Sequence, residues 1–137
     1  MAKTGKRLKQ AYQGIDPDAA PLRHALGLVL VRQKRTAEAV KALGDAARLD
    51  PDNGRYAYVY AVAVNDAGNA RRALAILEQA LRRQPYDRDV LFGLAFYAQQ
   101  AGRRDAALEY AKVLRELEPE NPEFAQLVAR LEGRAPR

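Results

Sequence analysis

Between residues 69 and 85 the chain reads NARRALAILEQALRRQP, and its apolar positions return every three or four residues. Leu74, Leu77 and Leu81 form one stripe among arginines and Glu78, the spacing of an amphipathic helix with a single buried face. The stretch before it, YAYVYAVAVNDAG (56–68), is apolar almost all round. Taken alone it suits a strand, because Tyr and Val favour sheets. Its counterparts LRHALGLVLVRQ (22–33) and VLFGLAFYAQQ (90–100) read as helices, and the shared register gives it the same state. Gly68 and Gly102 follow these apolar helices, where a helix C-terminus takes a residue tolerant of positive φ.

The register comes from four proline-containing turns: IDPDAA (15–20), LDPDNG (49–54), RQPYDR (83–88) and LEPENP (117–122). Pro17, Pro51, Pro85 and Pro119 are separated by 34 residues each time. A proline cannot continue a helix, so each turn closes one helix pair and opens the next. An unbroken period of this length predicts an all-α array of antiparallel helix pairs. In front of it, Leu8, Ala11, Tyr12 and Ile15 make an i, i+3, i+4, i+7 stripe that ends at Pro17. That stripe reads as a second helix without its first partner, either an N-terminal cap or the cut end of a longer array.

These residues resemble the tetratricopeptide repeat (TPR), whose 34-residue unit carries the pattern W-x2-L-G-x2-Y, A-x3-F and a closing P. Unit 20–53 has Leu26-Gly27, Leu30, Ala39, Leu43, Ala46 and Pro51; unit 54–87 has Tyr60-Ala61, Val64, Ala73, Leu77, Ala80 and Pro85. Unit 88–121 has Leu94-Ala95, Ala98, Ala107, Ala111, Leu114 and Pro119. The family's tryptophan is replaced by Arg23, Ala57 and Leu91, and its Tyr and Phe positions are aliphatic or Ala. The resemblance implies a right-handed α-solenoid with three full repeats. It also implies a basic N-terminal segment and partial helix over 1–19, and a capping helix and tail over 122–137. Small residues at Gly27, Ala61 and Ala95, facing Ala39, Ala73 and Ala107, sit where the family's paired helices approach most closely. The stretch RYAYVYAVAVNDAG also resembles repeats near the ends of larger bacterial proteins, multihaem cytochromes with fused arrays among them. No Cys-x-x-Cys-His stands in this chain, so that likeness bears on a parent protein only.

Composition narrows the chemistry. The 137 residues suffice for one domain with a core, and the net charge of +6 lies at the ends. Lys3, Lys6, Arg7 and Lys9 precede Asp16, Arg130, Arg134 and Arg137 close the chain, and 17–129 holds 16 basic against 15 acidic residues. A nearly neutral body argues against a nucleic-acid partner. Cysteine is absent, which excludes disulfides and thiolate metal sites; serine is absent too, and Thr4 and Thr36 have no base beside them. No apolar run is long enough to span a bilayer, and the basic start leads into no signal-peptide core. A cytoplasmic location is expected, or a periplasmic one if the chain is cut from a longer precursor.

The turn RLDPDNGRY is the best candidate for an ion site, and its spacing fails. Counted from Asp50, an EF-hand needs an oxygen donor at position 5, Gly at 6 and Glu at 12, where Gly54, Arg55 and Ala61 stand. Asp52 or Asn53 instead suits the free N–H groups of the following helix. His24, the single histidine, has no carboxylate on its helix to orient it, so it reads as a groove or surface residue. Arg71-Arg72, Arg82-Arg83 and Arg103-Arg104 are interleaved with acids and lack an aromatic series for base stacking, which predicts a solvated outer face. No enzyme activity, metal or cofactor is expected.

The TPR resemblance places ligand contacts on the concave surface lined by first helices. Transferred unit by unit, it gives one row of His24, Tyr58 and Phe92 and a second of Leu28, Val62 and Phe96. Asn65, Gln99 and Gln100 with Arg55 and Asp89 make the edge. An apolar patch with a polar rim implies a groove for a protein or peptide partner. The subfamily that grips chaperone C-terminal carboxylates has Lys and Asn where His24 and Leu28 stand, Asn at Val59, and Lys and Arg at Asp89 and Gly93. That clamp is absent here. The expectation is a non-catalytic scaffold, with a self-associating module such as a homodimer, or a fragment of a larger bacterial protein, as the rival reading.

Overall fold

The computed structural model describes residues 19–133. Within them lie seven helices: α1 (Ala20–Arg32), α2 (Thr36–Leu49), α3 (Gly54–Asp66), α4 (Ala70–Arg83), α5 (Arg88–Gln100), α6 (Arg104–Leu117) and α7 (Pro122–Leu131). The chain is a right-handed all-α solenoid in which α1–α2, α3–α4 and α5–α6 are antiparallel pairs and α7 closes on α6. The stripe at Leu8, Ala11, Tyr12 and Ile15, the basic residues before Asp16, and Arg134 and Arg137 lie outside the described residues.

The turns at Pro51, Pro85 and Pro119 each end one helix and start another through hydrogen bonds of their own, while Pro17 lies outside the described residues. Asp50, Gln84 and Glu118 leave the helical region, and their carbonyls accept from the N–H groups of Asn53, Asp87 and Asn121. A proline second in such a turn has its φ already set. The last turn residue then caps the next helix. Asn53 Oδ1 accepts from Tyr56 N at 3.1 Å, Asp87 Oδ1 from Val90 N at 3.0 Å, and Asn121 Oδ1 from Glu123 N at 3.0 Å. Asp52, the other cap expected from sequence, accepts instead from Arg83 Nε of α4 at 2.9 Å.

The first helices of each pair end in a paired-bond C-cap. After α3, Asn69 N donates to Val64 O and Gly68 N to Asn65 O, with Gly68 at φ 96°. Gly102 repeats this after α5 at φ 78°. After α1 the same place holds Lys34 at φ 60°, a conformation that costs a side-chain-bearing residue more than glycine.

Helix approach is set by small residues. Ala39, Ala61, Ala73, Ala95 and Ala107 are all buried. At Gly27 an added methyl would lie 2.5 Å from Leu43 Cγ, so the α1–α2 pair has no room for one. Leu43, Leu77 and Leu94 hold the main core together, and Leu91, Leu114 and Phe124 form a satellite where α5, α6 and α7 meet.

One face is treated differently along the array. Positions 34 residues apart at 60, 94 and 128, and at 63, 97 and 131, are buried in α3, α5 and α7. Their equivalents in α1, Leu26 and Val29, are 49% and 45% exposed, and Leu22 on the same stripe is 68% exposed.

Candidate protein-binding groove

Curvature follows from which helices touch. α3 and α5, first helices of neighbouring units, pack directly on each other, whereas no two second helices make comparable contact. The first helices therefore line the inner side. Gly93 makes the close approach: a Cβ there would lie 2.8 Å from Leu77 Cδ1 and 3.0 Å from Tyr58 Cδ1. Tyr58 thus lies across the joint between α3 and α5.

The two rows are unequally presented. Tyr58, Val62 and Phe92 are half-buried, and Phe92 packs on the Leu91–Leu114–Phe124 cluster, so it serves the core as well as the surface. Phe96 is 47% exposed and meets the Tyr97 ring edge-on at 5.4 Å, while Leu28 is also exposed. Asn65, Gln99 and Gln100 make no side-chain hydrogen bond among the described residues, which leaves three amides free beside these rings. Arg55 and Asp89 are brought together at 3.7 Å, with the Arg55 guanidinium 5.9 Å from the centre of the Tyr58 ring. This pair ties the edge of α3 to that of α5.

His24, assigned to the first row, packs against α3. Its ring stacks on Tyr56 at 4.4 Å and 24°, and its Nδ1 is buried with no hydrogen-bond partner. Burial lowers its pKa, and the positive charge of Arg55 lowers it further, both by disfavouring the charged imidazolium. Tyr97 is kept neutral: burial first, then Tyr58 and Asp66, push its hydroxyl up to about 12.

Two features had no signal in the sequence pattern. Asp45, on the buried side of α2, is the one buried charged residue among the described residues, and Arg23, Lys41 and Arg48 surround its carboxylate. Arg23, standing where the family has Trp, reaches it across the helix pair at 3.3 Å. The arginines of the outer face are exposed, as expected, yet several are engaged. Arg72 donates to the Tyr60 hydroxyl at 2.8 Å, and Arg104 donates to the Leu131 carbonyl that ends α7. No group of three or more metal-ligating side chains occurs among the described residues, and none of their helices is long and apolar enough to cross a membrane.

Residues 15–124 match the family model described as the cytochrome c-type biogenesis protein H TPR domain. The chain belongs to that family. Comparison with curated proteins gave no match. Among solved structures, the Arabidopsis OM64 TPR domain is 18% identical with a TM-score of 0.72, over 86% of this chain and 98% of that one. The first TPR domain of Spaghetti (RPAP3), solved with an HSP90 peptide, is 17% identical with a TM-score of 0.76, over 86% and 96%. MamA from Desulfovibrio magneticus RS-1 is 18% identical with a TM-score of 0.67; 86% of this TPR chain aligns, covering 65% of that one. At these identities the likeness is one of fold.

Proposed function

We propose that this TPR domain is a non-catalytic interaction module that takes an extended or helical segment of a polypeptide of c-type cytochrome assembly along α3 and α5. The observation that carries the reading is the exposed Phe96 beside half-buried Tyr58, Val62 and Phe92, edged by the free amides of Asn65, Gln99 and Gln100. Apolar anchors give affinity, and amides can bond a ligand backbone of any sequence. Membership of a family described by cytochrome c biogenesis supports a partner of that class. The Spaghetti and yeast Sti1 domains were solved with chaperone peptides. Here His24, Leu28, Val59, Asp89 and Gly93 occupy the clamp positions, which favours a different ligand.

Affinity capture with wild type and Phe96→Ala, scored on c-type cytochrome polypeptides, tests this reading. Phe96 is the cleaner site, because Phe92 also supports the core. Loss of capture with unchanged helical circular dichroism supports the groove, and undiminished capture by Phe96→Ala together with Gln99→Ala refutes it. The second reading, self-association, is favoured by the apolar face of α1 at Leu22, Leu26 and Val29. A sedimentation coefficient independent of concentration would count against it.

A further inference from the structure

The outer side of the array holds a cleft of about 550 Å³ between α2 and α4, floored by α3. Its volume falls within the roughly 300–1,000 Å³ of ligand sites. Ala47, Ala57 and Ala80 form the floor with Ile76, and Arg48, Arg72 and Arg83 stand round it. No acidic residue lines it.

The same fold fills the corresponding space one unit further on. Thirty-four residues after Ala47, Ala57, Ile76 and Ala80 come Leu81, Leu91, Tyr110 and Leu114. Leu91 and Leu114 are buried with Phe124, and Leu81 and Tyr110 pack on them. The cleft is therefore a property of this sequence and not of the solenoid. Two of the three arginines are equally local, since Arg72 and Arg83 correspond to Ala106 and Leu117, whereas Arg48 recurs as Arg82. Arg48 is paired with Asp45 and Arg83 with Asp52, but Arg72 forms no ion pair among the described residues. Its guanidinium is anchored by the Tyr60 hydroxyl at 2.8 Å and lies 6.0 Å from the centre of that ring. Gly44 keeps the anchor in place, since a Cβ there would come within 3.0 Å of the Tyr60 ring.

We propose that this cleft binds an acidic peptide segment of a partner protein, with one aliphatic or aromatic side chain on the alanine floor and the adjoining carboxylate against Arg72. An apolar floor alone would accept any greasy side chain. A held guanidinium without a counter-ion, among lining residues that carry three positive charges and no negative one, selects the acidic neighbour. The rim residues Arg48, Pro51, Ala75 and Gln79 are exposed, so a chain can run across the cleft. The site lies on the opposite side of the array from Phe96 and does not depend on the groove reading.

The test is a titration of the ¹⁵N-labelled 137-residue chain with acetyl-Glu-Leu-Phe-Glu-amide, followed by amide shifts. Its basic counterpart, acetyl-Lys-Leu-Phe-Lys-amide, has the same apolar body. The acidic peptide is expected to shift Ala47, Ala57 and Ile76, and the basic one to leave them in place. Arg72→Gln should weaken acidic-peptide binding about tenfold, the usual worth of one charge-assisted hydrogen bond. Ala47→Leu/Ala57→Leu/Ala80→Leu, which copies the filled unit, should abolish binding with the helical spectrum retained, and Phe96→Ala should change nothing. Equal binding of both peptides, shifts confined to the Tyr58–Phe96 side, or full binding by Arg72→Gln would overturn the proposal.

Discussion

Replacing Gly27 by alanine sets two terms of known size against each other. In a helix interior the exchange gains about 1 kcal/mol, because glycine loses more backbone freedom. At this position the new methyl would meet Leu43 Cγ at 2.5 Å, Cδ2 closer still, and the Leu43 backbone nitrogen at 3.3 Å. Leu43 has no exposed surface, so its side chain cannot swing into solvent, and the backbone nitrogen cannot move without α2. Overpacking of this kind costs about 1–3 kcal/mol, which leaves a net loss near 1 kcal/mol. That corresponds to a fall in Tm of about 4 °C in thermal unfolding followed by helical circular dichroism. The background decides whether Leu43 is the cause. Leu43→Ala alone should cost about 2–5 kcal/mol, but in that variant the methyl has space, and Gly27→Ala should then raise stability by about 1 kcal/mol. A change of the same sign in both backgrounds would refute the steric account.

Three further outcomes follow from ionisable groups. His24 is the single histidine, and its folded pKa lies below its unfolded value, so the unfolded chain binds the extra proton. Stability is fully present above the unfolded pKa of about 6.5 and falls as pH drops through it; urea melts at pH 8 and pH 6 should differ less in His24→Gln than in wild type. Asp45→Asn leaves Arg23, whose side chain is 19% exposed, without its carboxylate, and should cost about 1–3 kcal/mol by urea denaturation. Glu38→Gln, which breaks an ion pair to Arg35 with both side chains more than half exposed, should cost under about 1 kcal/mol by the same measurement.

The fold was legible because each of its decisions is local. A proline, a capping Asn or Asp and a glycine recur at fixed spacing, and each acts on backbone groups within a few residues of itself, as Asn53 does on Tyr56. The candidate groove was half legible. The register puts Tyr58 and Phe92 at matching positions, but it says nothing of Phe92 packing on the Leu91–Leu114–Phe124 cluster or of His24 stacking on Tyr56. Burial of that sort depends on the sizes of neighbours in other units. Asp45 escaped for the same reason, since its principal cross-pair partner Arg23 is 22 residues away on another helix. The outer cleft escaped because alanine is an ordinary helix residue, and only the placing of Ala47, Ala57 and Ala80 round one space leaves it open.

The unequal burial of one stripe makes the array directional as a cooperative system. In a linear stack, stability is close to a sum of terms between neighbours, so opening starts at the end with the weakest term. At α7 that term is strong: Phe124, Val128 and Leu131 are buried, and Glu123, Gln126 and Arg130 face water. Among the described residues α1 has no such neighbour over Leu22, Leu26 and Val29. Among the described helices the weaker end term is therefore at α1, and two interfaces, α1–α2 and α2–α3, stand between it and the α3–α5 groove.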